Sequence, residues 1–324
     1  MGYRKTPPRE TRAKPMPPPL PRRFTDIAVM ALMPLFFSSN LVLGRAAVAE
    51  VQPWTLATLR WSVALVILLP FTLRQLHAYR HALVREGRVL GILGVLGMVI
   101  CGGVVYLGLA RTTATNAILI YTSSTVMILI LERVFRGRPV TGRQALGVVL
   151  AFAGVGVIVL RGDLGRLFSL ELNSGDLLIA AAALSWAVYS VVLRKSSLGR
   201  IPTLPLFAAI VVAGVVALAP FMAWETVRSG TFPATASAWA AIFGLALFPS
   251  VLAFSFYNYG VQRFGPAANG MLLYFMPAYG VLMSVLFLGE SFRPFHLAGL
   301  LLVLPGVVLA TAPPELLRRA WRRM

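Results

Sequence analysis

The chain is built from apolar runs about 20 residues long, separated by short connections that hold most of its arginines. At about 1.5 Å per residue, such a run matches a helix crossing the ~30 Å hydrocarbon layer of a bilayer. Lipid offers no hydrogen bonds to a peptide group, so a chain bathed in it can cross only as helices or as a closed barrel. Barrel strands would read as segments of about ten residues with alternating polarity, and the runs here are twice that length. Charged residues make up 13% of the sequence against 58% hydrophobic, roughly half the charged share of a soluble domain. The expected fold is an all-α membrane protein with ten transmembrane helices, spanning 26–47, 53–73, 88–110, 114–132, 142–161, 174–193, 203–224, 238–262, 267–288 and 294–312.

The second half repeats the first. Tyr259, Asn269 and Tyr274 match Tyr106, Asn116 and Tyr121 at an offset of 153, and Gly289, Gly299 and Gly306 match Gly137, Gly147 and Gly154 at 152. Upstream, Asp26 matches Asp176 and Pro70-Phe71 matches Pro220-Phe221 at an offset of 150. Internal repetition sets architecture before any local signal does. The expected units are a basic, proline-rich disordered tail over 1–24, a five-helix repeat over 25–162, a second over 174–312, and a basic cytoplasmic tail over 313–324. An odd number of spans per copy makes the second copy enter the membrane upside down, giving two inverted five-helix repeats. Arginine and lysine support this frame. With the amino terminus in the cytoplasm, 23 fall on the cytoplasmic side and six on the other, the remaining one being Arg60. That asymmetry puts both termini in the cytoplasm of a multi-pass protein of the cell inner (plasma) membrane. Trp54, Trp224 and Trp239 all fall at outer helix ends, where an amphipathic ring prefers to sit.

Net charge is +19, which in a soluble chain would suggest nucleic acid. Here the basic residues flank the apolar runs, so their expected partners are anionic lipid head groups and no nucleic acid. The leading tail and first run superficially resemble a signal peptide. Ser38, Ser39, Asn40 and Arg45 inside the run, together with its length, argue for a retained helix. A single cysteine, Cys101, cannot form an intramolecular disulfide. His77, His81 and His296 show no metal-ligand spacing, so neither a metal nor a cofactor is expected.

Inverted repeats recur in secondary transporters, with the substrate site near the midplane between them. Candidate residues for such a path lie near the middle of the runs: Asn40, Trp186, Tyr189, Ser190, Tyr257, Asn258 and Tyr279. Trp186, Tyr189 and Ser190 share one helix face by their spacing. Buried Tyr and Trp need polar partners, and a lining of rings and amides suits a small amphiphile. Ordinary interhelical hydrogen bonding would use the same residue types. Arg60 is the one charge well inside a run, placed either to pack against carbonyls or to meet a substrate carboxylate. The matched tyrosines fall in opposite halves of the membrane, Tyr106 and Tyr121 outside and Tyr259 and Tyr274 inside. They are candidate gates at the two ends of one path. No Asp or Glu is expected deep in a span, since Glu132 and Asp176 sit near helix ends and the others in loops or tails. Without the usual intramembrane proton carrier, a facilitator or exchanger is expected. The glycines at 147, 154, 299 and 306 read as packing, within the fold or between protomers.

Phe36-Phe37-Ser38-Ser39-Asn40 through Leu59-Arg60, and Pro277 to Gly306 with its Leu288-Gly289-Glu290 turn, resemble the EamA-type drug/metabolite transporter superfamily over roughly residues 26–312. Two departures are Gly137-Arg138 in place of a second Gly-Glu, and Ser124 where the second copy has Pro277. The resemblance implies export or facilitated movement of small metabolites, often amino acids, and most closely the YddG-like exporters of aromatic amino acids. A multidrug exporter is the alternative within the superfamily, and a membrane sensor or scaffold the alternative outside it. An enzyme is not expected, because paired aspartates, a nucleophile with its base and a metal motif such as H-E-x-x-H are all missing.

Overall fold

The computed structural model describes residues 23–112, 117, 120–137, 139–163, 165, 173–194, 197–280, 282 and 292–311. Asn116, Arg138, the Leu288-Gly289-Glu290 turn, residues 1–22 and the carboxyl-terminal tail lie outside the described residues, while Arg23 and Phe24, expected in the leading tail, are helical. Among those described there is no strand. In chain order the helices are α1 (Arg23–Ala47), α2 (Pro53–Ala78), the short α3 (Arg80–Arg85), α4 (Gly87–Leu109), α5 (Ser124–Arg136) and α6 (Gly142–Val159). They continue with α7 (Ser174–Leu193), α8 (Thr203–Ser229), α9 (Ala236–Phe264), α10 (Pro266–Met271) and α11 (Pro294–Thr311). Six of these, α2, α4, α6, α7, α8 and α9, are apolar over at least 18 residues and long enough to cross a membrane. Shorter apolar stretches cover Ala28–Asn40 and Pro294–Ala310. The expected fourth and ninth spans fall partly outside the described residues.

Two helix pairs hold the bundle together. Where α6 crosses α11, a Cβ on Gly147 would lie 2.6 Å from the Gly306 carbonyl oxygen, and one on Gly154 would lie 2.6 Å from that of Gly299. The glycines are therefore packing residues within the fold, letting two backbones touch. Residue 147 meets 306 while 154 meets 299, so the two helices run antiparallel. The second pair is α2 and α8, joined by the stacked rings of Trp54 and Phe221 (4.6 Å). Its amino-terminal end is closed by Glu225, whose carboxylate accepts the amides of Trp54 (3.2 Å) and Thr55 (2.7 Å) and the Thr55 hydroxyl (2.8 Å). Glu225, expected in a loop, lies inside α8 and is buried. Hydropathy falls at the first charge, but the helix runs on past it.

Two of the long helices contain a π-helical stretch, Val95–Val104 in α4 and Ala246–Leu252 in α9. Around α4 the wider turn closes with the amide of Val105 on the carbonyl of Ile100, five residues back. In α9, Pro249 has no amide hydrogen for the Leu245 carbonyl. The Ser250 hydroxyl takes that acceptor instead, at 2.7 Å.

Candidate functional site

Arg60 projects from α2 into the centre of the helix bundle and is 2% exposed. Its Nη1 donates to Asn40 Oδ1 on α1 (2.9 Å) and to the Tyr106 hydroxyl on α4 (2.5 Å). That hydroxyl in turn donates to Asn40 Oδ1 at 3.1 Å. The guanidinium also lies over the rings of Trp61 (4.9 Å) and Tyr106 (5.2 Å), as cation–π contacts require. Gly102 of α4 makes room: a Cβ there would stand 3.2 Å from Trp61 Nε1. Among the described residues no carboxylate pairs with Arg60, and its Nε has no hydrogen-bond partner. A buried charge costs several kcal/mol unless something compensates it. Rings and two neutral oxygens compensate only in part. The remaining donors form a planar fork fitted to a carboxylate or similar oxyanion.

Beside the arginine stands an aromatic column. Trp61 meets Phe254 edge-on at 4.9 Å, and Phe254 also contacts Phe37, Trp186, Tyr189 and Phe207. Trp186 stacks on Tyr189 (5.5 Å, 13° between planes) and lies 4.5 Å from the Tyr257 ring. The Tyr189 and Tyr257 hydroxyls are satisfied across helices, whereas the buried indole nitrogens of Trp61 and Trp186 have no hydrogen-bond partner among the described residues. The Tyr189 hydroxyl donates to Asn258 Oδ1 (2.9 Å), and Ser190 and Tyr257 share a 2.6 Å hydroxyl contact. Asn258 Nδ2 is buried and has no partner among the described residues. So α7 and α9 bring Trp186, Tyr189, Ser190, Tyr257 and Asn258 together, while α1 and α2 add Asn40 and Arg60. Tyr279 stands apart, half-buried, with no side-chain hydrogen bond or ring contact among the described residues. Phe254 and Phe37 were missed: nothing in the sequence separates them from the other phenylalanines.

The four matched tyrosines take different partners. Tyr121 faces Trp186 at 6.5 Å and neighbours the Cys101 thiol. The Tyr259 hydroxyl donates to Asp26 Oδ1 (2.7 Å), and Arg263 sits 3.5 Å from the same carboxylate. Tyr274 is fully buried. The carboxylates serve as locks at helix ends. Asp176 closes a capping box with Asn173 at the start of α7 and accepts the Thr112 hydroxyl. Glu132 Oε2 accepts the Ala267 amide at the start of α10 (3.3 Å), and its Oε1 is buried without a partner among the described residues.

Comparison with known proteins follows the same lines. The chain is 26% identical over 294 residues to the uncharacterized transporter YyaM of Bacillus subtilis (strain 168), covering 88% of this chain and 93% of that one. It is 28% identical over 230 residues to a probable terminal-alkyne amino-acid exporter of Streptantibioticus cattleyicolor, covering 71% and 75%. A crystal structure of a protein 20% identical superposes with a TM-score of 0.68 over 89% of this chain and 97% of the other, which shows a shared fold. The family model described as EamA-like transporter family matches residues 25–160 and again 173–312. With nearly all of its helical part so matched, the chain belongs to the EamA-like transporter family.

Proposed function

We propose that this protein moves small amphiphilic metabolites across the plasma membrane, with amino acids, aromatic ones foremost, as the substrate class. The observation that carries the reading is Arg60, a buried cation without a counter-ion among the described residues, set against a column of aromatic rings. An amino acid supplies what that arrangement lacks: a carboxylate for the fork and an apolar or aromatic side chain for the rings. A probable amino-acid exporter among the relatives points the same way.

The architecture proposed for transport is ten helices in two inverted five-helix repeats, with both termini cytoplasmic and a central cavity between the repeats. The antiparallel crossings of α6 with α11 and of α2 with α8 support it, because each joins equivalent helices of the two copies. Substrate passes by alternating access. Tyr106 and Tyr121, which both touch the central cluster, form the proposed gate on one side of it, and Tyr259 and Tyr274 the gate on the other. The four carboxylates buried among the described residues, Asp26, Glu132, Asp176 and Glu225, sit at or near helix ends, so the proposed mode is facilitated movement or exchange down the substrate gradient.

Counterflow into liposomes tests this, with labelled phenylalanine, tryptophan, leucine and threonine run beside a nucleotide-sugar and a cationic drug. Aromatic amino acids are expected to exchange fastest, without an imposed proton gradient. Uptake of the drug and of no amino acid would replace this reading with multidrug export.

A further inference from the structure

π-Helical turns are rare and concentrate at functional positions, and the described residues hold two, at corresponding places in the two repeats proposed above. Shifted by the 153 residues that relate Tyr106 to Tyr259, Val95–Val104 becomes 248–257 and overlaps Ala246–Leu252. Each stretch adjoins the central cluster. A Cβ on Gly97 would touch Tyr189 at 3.1 Å, one on Gly102 would touch Trp61 at 3.2 Å, and Phe254 follows the α9 stretch directly. A hydroxyl captures a carbonyl in the first, that of Leu96 by Ser185 of α7 (3.0 Å), and one immediately before the second, that of Leu245 by Ser250 (2.7 Å). Downstream of the first lies Tyr106, which occupies Nη1 of Arg60. Downstream of the second lies Tyr259, which holds Asp26.

Resting on the transport reading above, we propose that Tyr106 and Tyr259 are positioning residues carried by these two π-helical stretches. The π register seats the Tyr106 hydroxyl on Arg60 and Asn40, and return to an α register withdraws it in favour of the substrate carboxylate. One residue of register turns everything downstream by about 100° and moves it about 1.5 Å. That is enough to take a phenol off a 2.5 Å hydrogen bond. A ligand shifts such an equilibrium only by binding one state better than the other. Arg60 supplies the difference: with Tyr106 on Nη1 only the Nε–Nη2 edge of the guanidinium is open to a carboxylate, and with Tyr106 withdrawn the Nη1–Nη2 edge opens as well. The second stretch performs the matching step at Asp26 and Arg263.

The test uses the full chain in liposomes with Cys101→Ala as parent. Single cysteines at Val104, Val105, Leu107, Leu109 and Ala110 are labelled with maleimide, with and without Ser185→Ala, which frees the Leu96 carbonyl. The order of protected positions is expected to advance by one residue in the Ser185→Ala background, and in the parent on adding phenylalanine. An unchanged order in both overturns the proposal, whatever the protein transports. Tyr106→Phe gives a second readout. Freed from its competitor, Arg60 should bind phenylalanine more tightly, lowering the counterflow KM about tenfold, whereas a merely structural tyrosine would lower stability and leave KM unmoved. Failure of every amino acid in counterflow while the labelling order still shifts would sink the substrate reading and spare the register change.

Discussion

Replacing Glu225 by alanine removes a helix cap supplied by a different helix. The first turn of α2 opens on Pro53, which has no amide hydrogen to satisfy, and the amides of Trp54 and Thr55 both go to Glu225. Leu56 already bonds to Gln52 within the chain (2.8 Å). One carboxylate thus closes the account of free donors at this end. Hydrogen bonds to a charged group contribute about 1.5–3 kcal/mol each, and losing a cap costs about 0.5–2 kcal/mol. Glu225→Ala should therefore destabilise by about 3 kcal/mol, or roughly 4 °C in Tm for a chain of this size. Glu225→Gln should fall between, since an amide still accepts. Thermal unfolding in nanodiscs measures both, and a cycle with Thr55→Val isolates the hydroxyl contact at about 1 kcal/mol of coupling. A Glu225→Ala protein melting within 1 °C of the parent, with no coupling to Thr55, would refute the cap as a tie between α2 and α8.

Three further outcomes are expected. Gly154→Leu, placed where a Cβ would stand 2.6 Å from the Gly299 oxygen, should cost about 3 kcal/mol or block assembly. Gly156→Ala on the same helix meets open space and should be neutral or gain up to about 1 kcal/mol, as thermal melts of the pair will show. Arg60→Gln, with its expression and monodispersity checked, should weaken counterflow of amino acids about 30-fold, the loss of a charge-assisted contact of ~2 kcal/mol. Deleting residues 1–22 should leave counterflow rates unchanged, because they precede the stretch that the family model matches from residue 25.

What could be read from the sequence was whatever lipid itself selects. Long apolar runs gave helix positions close to those found, and α7 matches its expected bounds of 174–193. Arg60 stood out because a lone charge inside such a run is costly. The seam glycines stood out because only small residues let backbones touch. Less was legible wherever partners come from distant segments. Asn40 and Arg60 are 20 residues apart on different helices, and no spacing rule links them. Nor does any pattern tie Glu225 to Trp54 across 171 residues. Phe254 occupies the centre of the aromatic column because of where α9 lies, and an apolar residue in an apolar run carries no mark of that. The π-helical stretches are also hidden, since the glycines of one and the proline of the other are compatible with an ordinary or kinked membrane helix.

The seam between α6 and α11 has one more consequence. Each strand of it contributes the same pair of notches, and the contact closes when one pair is read forwards and the other backwards. Enlarging one glycine therefore blunts a single notch and leaves the other contact to act as a pivot. A lone substitution there should tilt the two halves against each other before it parts them. Inherited variation at the four positions is expected to arise in couples, 147 with 306 and 154 with 299, because each couple shares a single backbone contact.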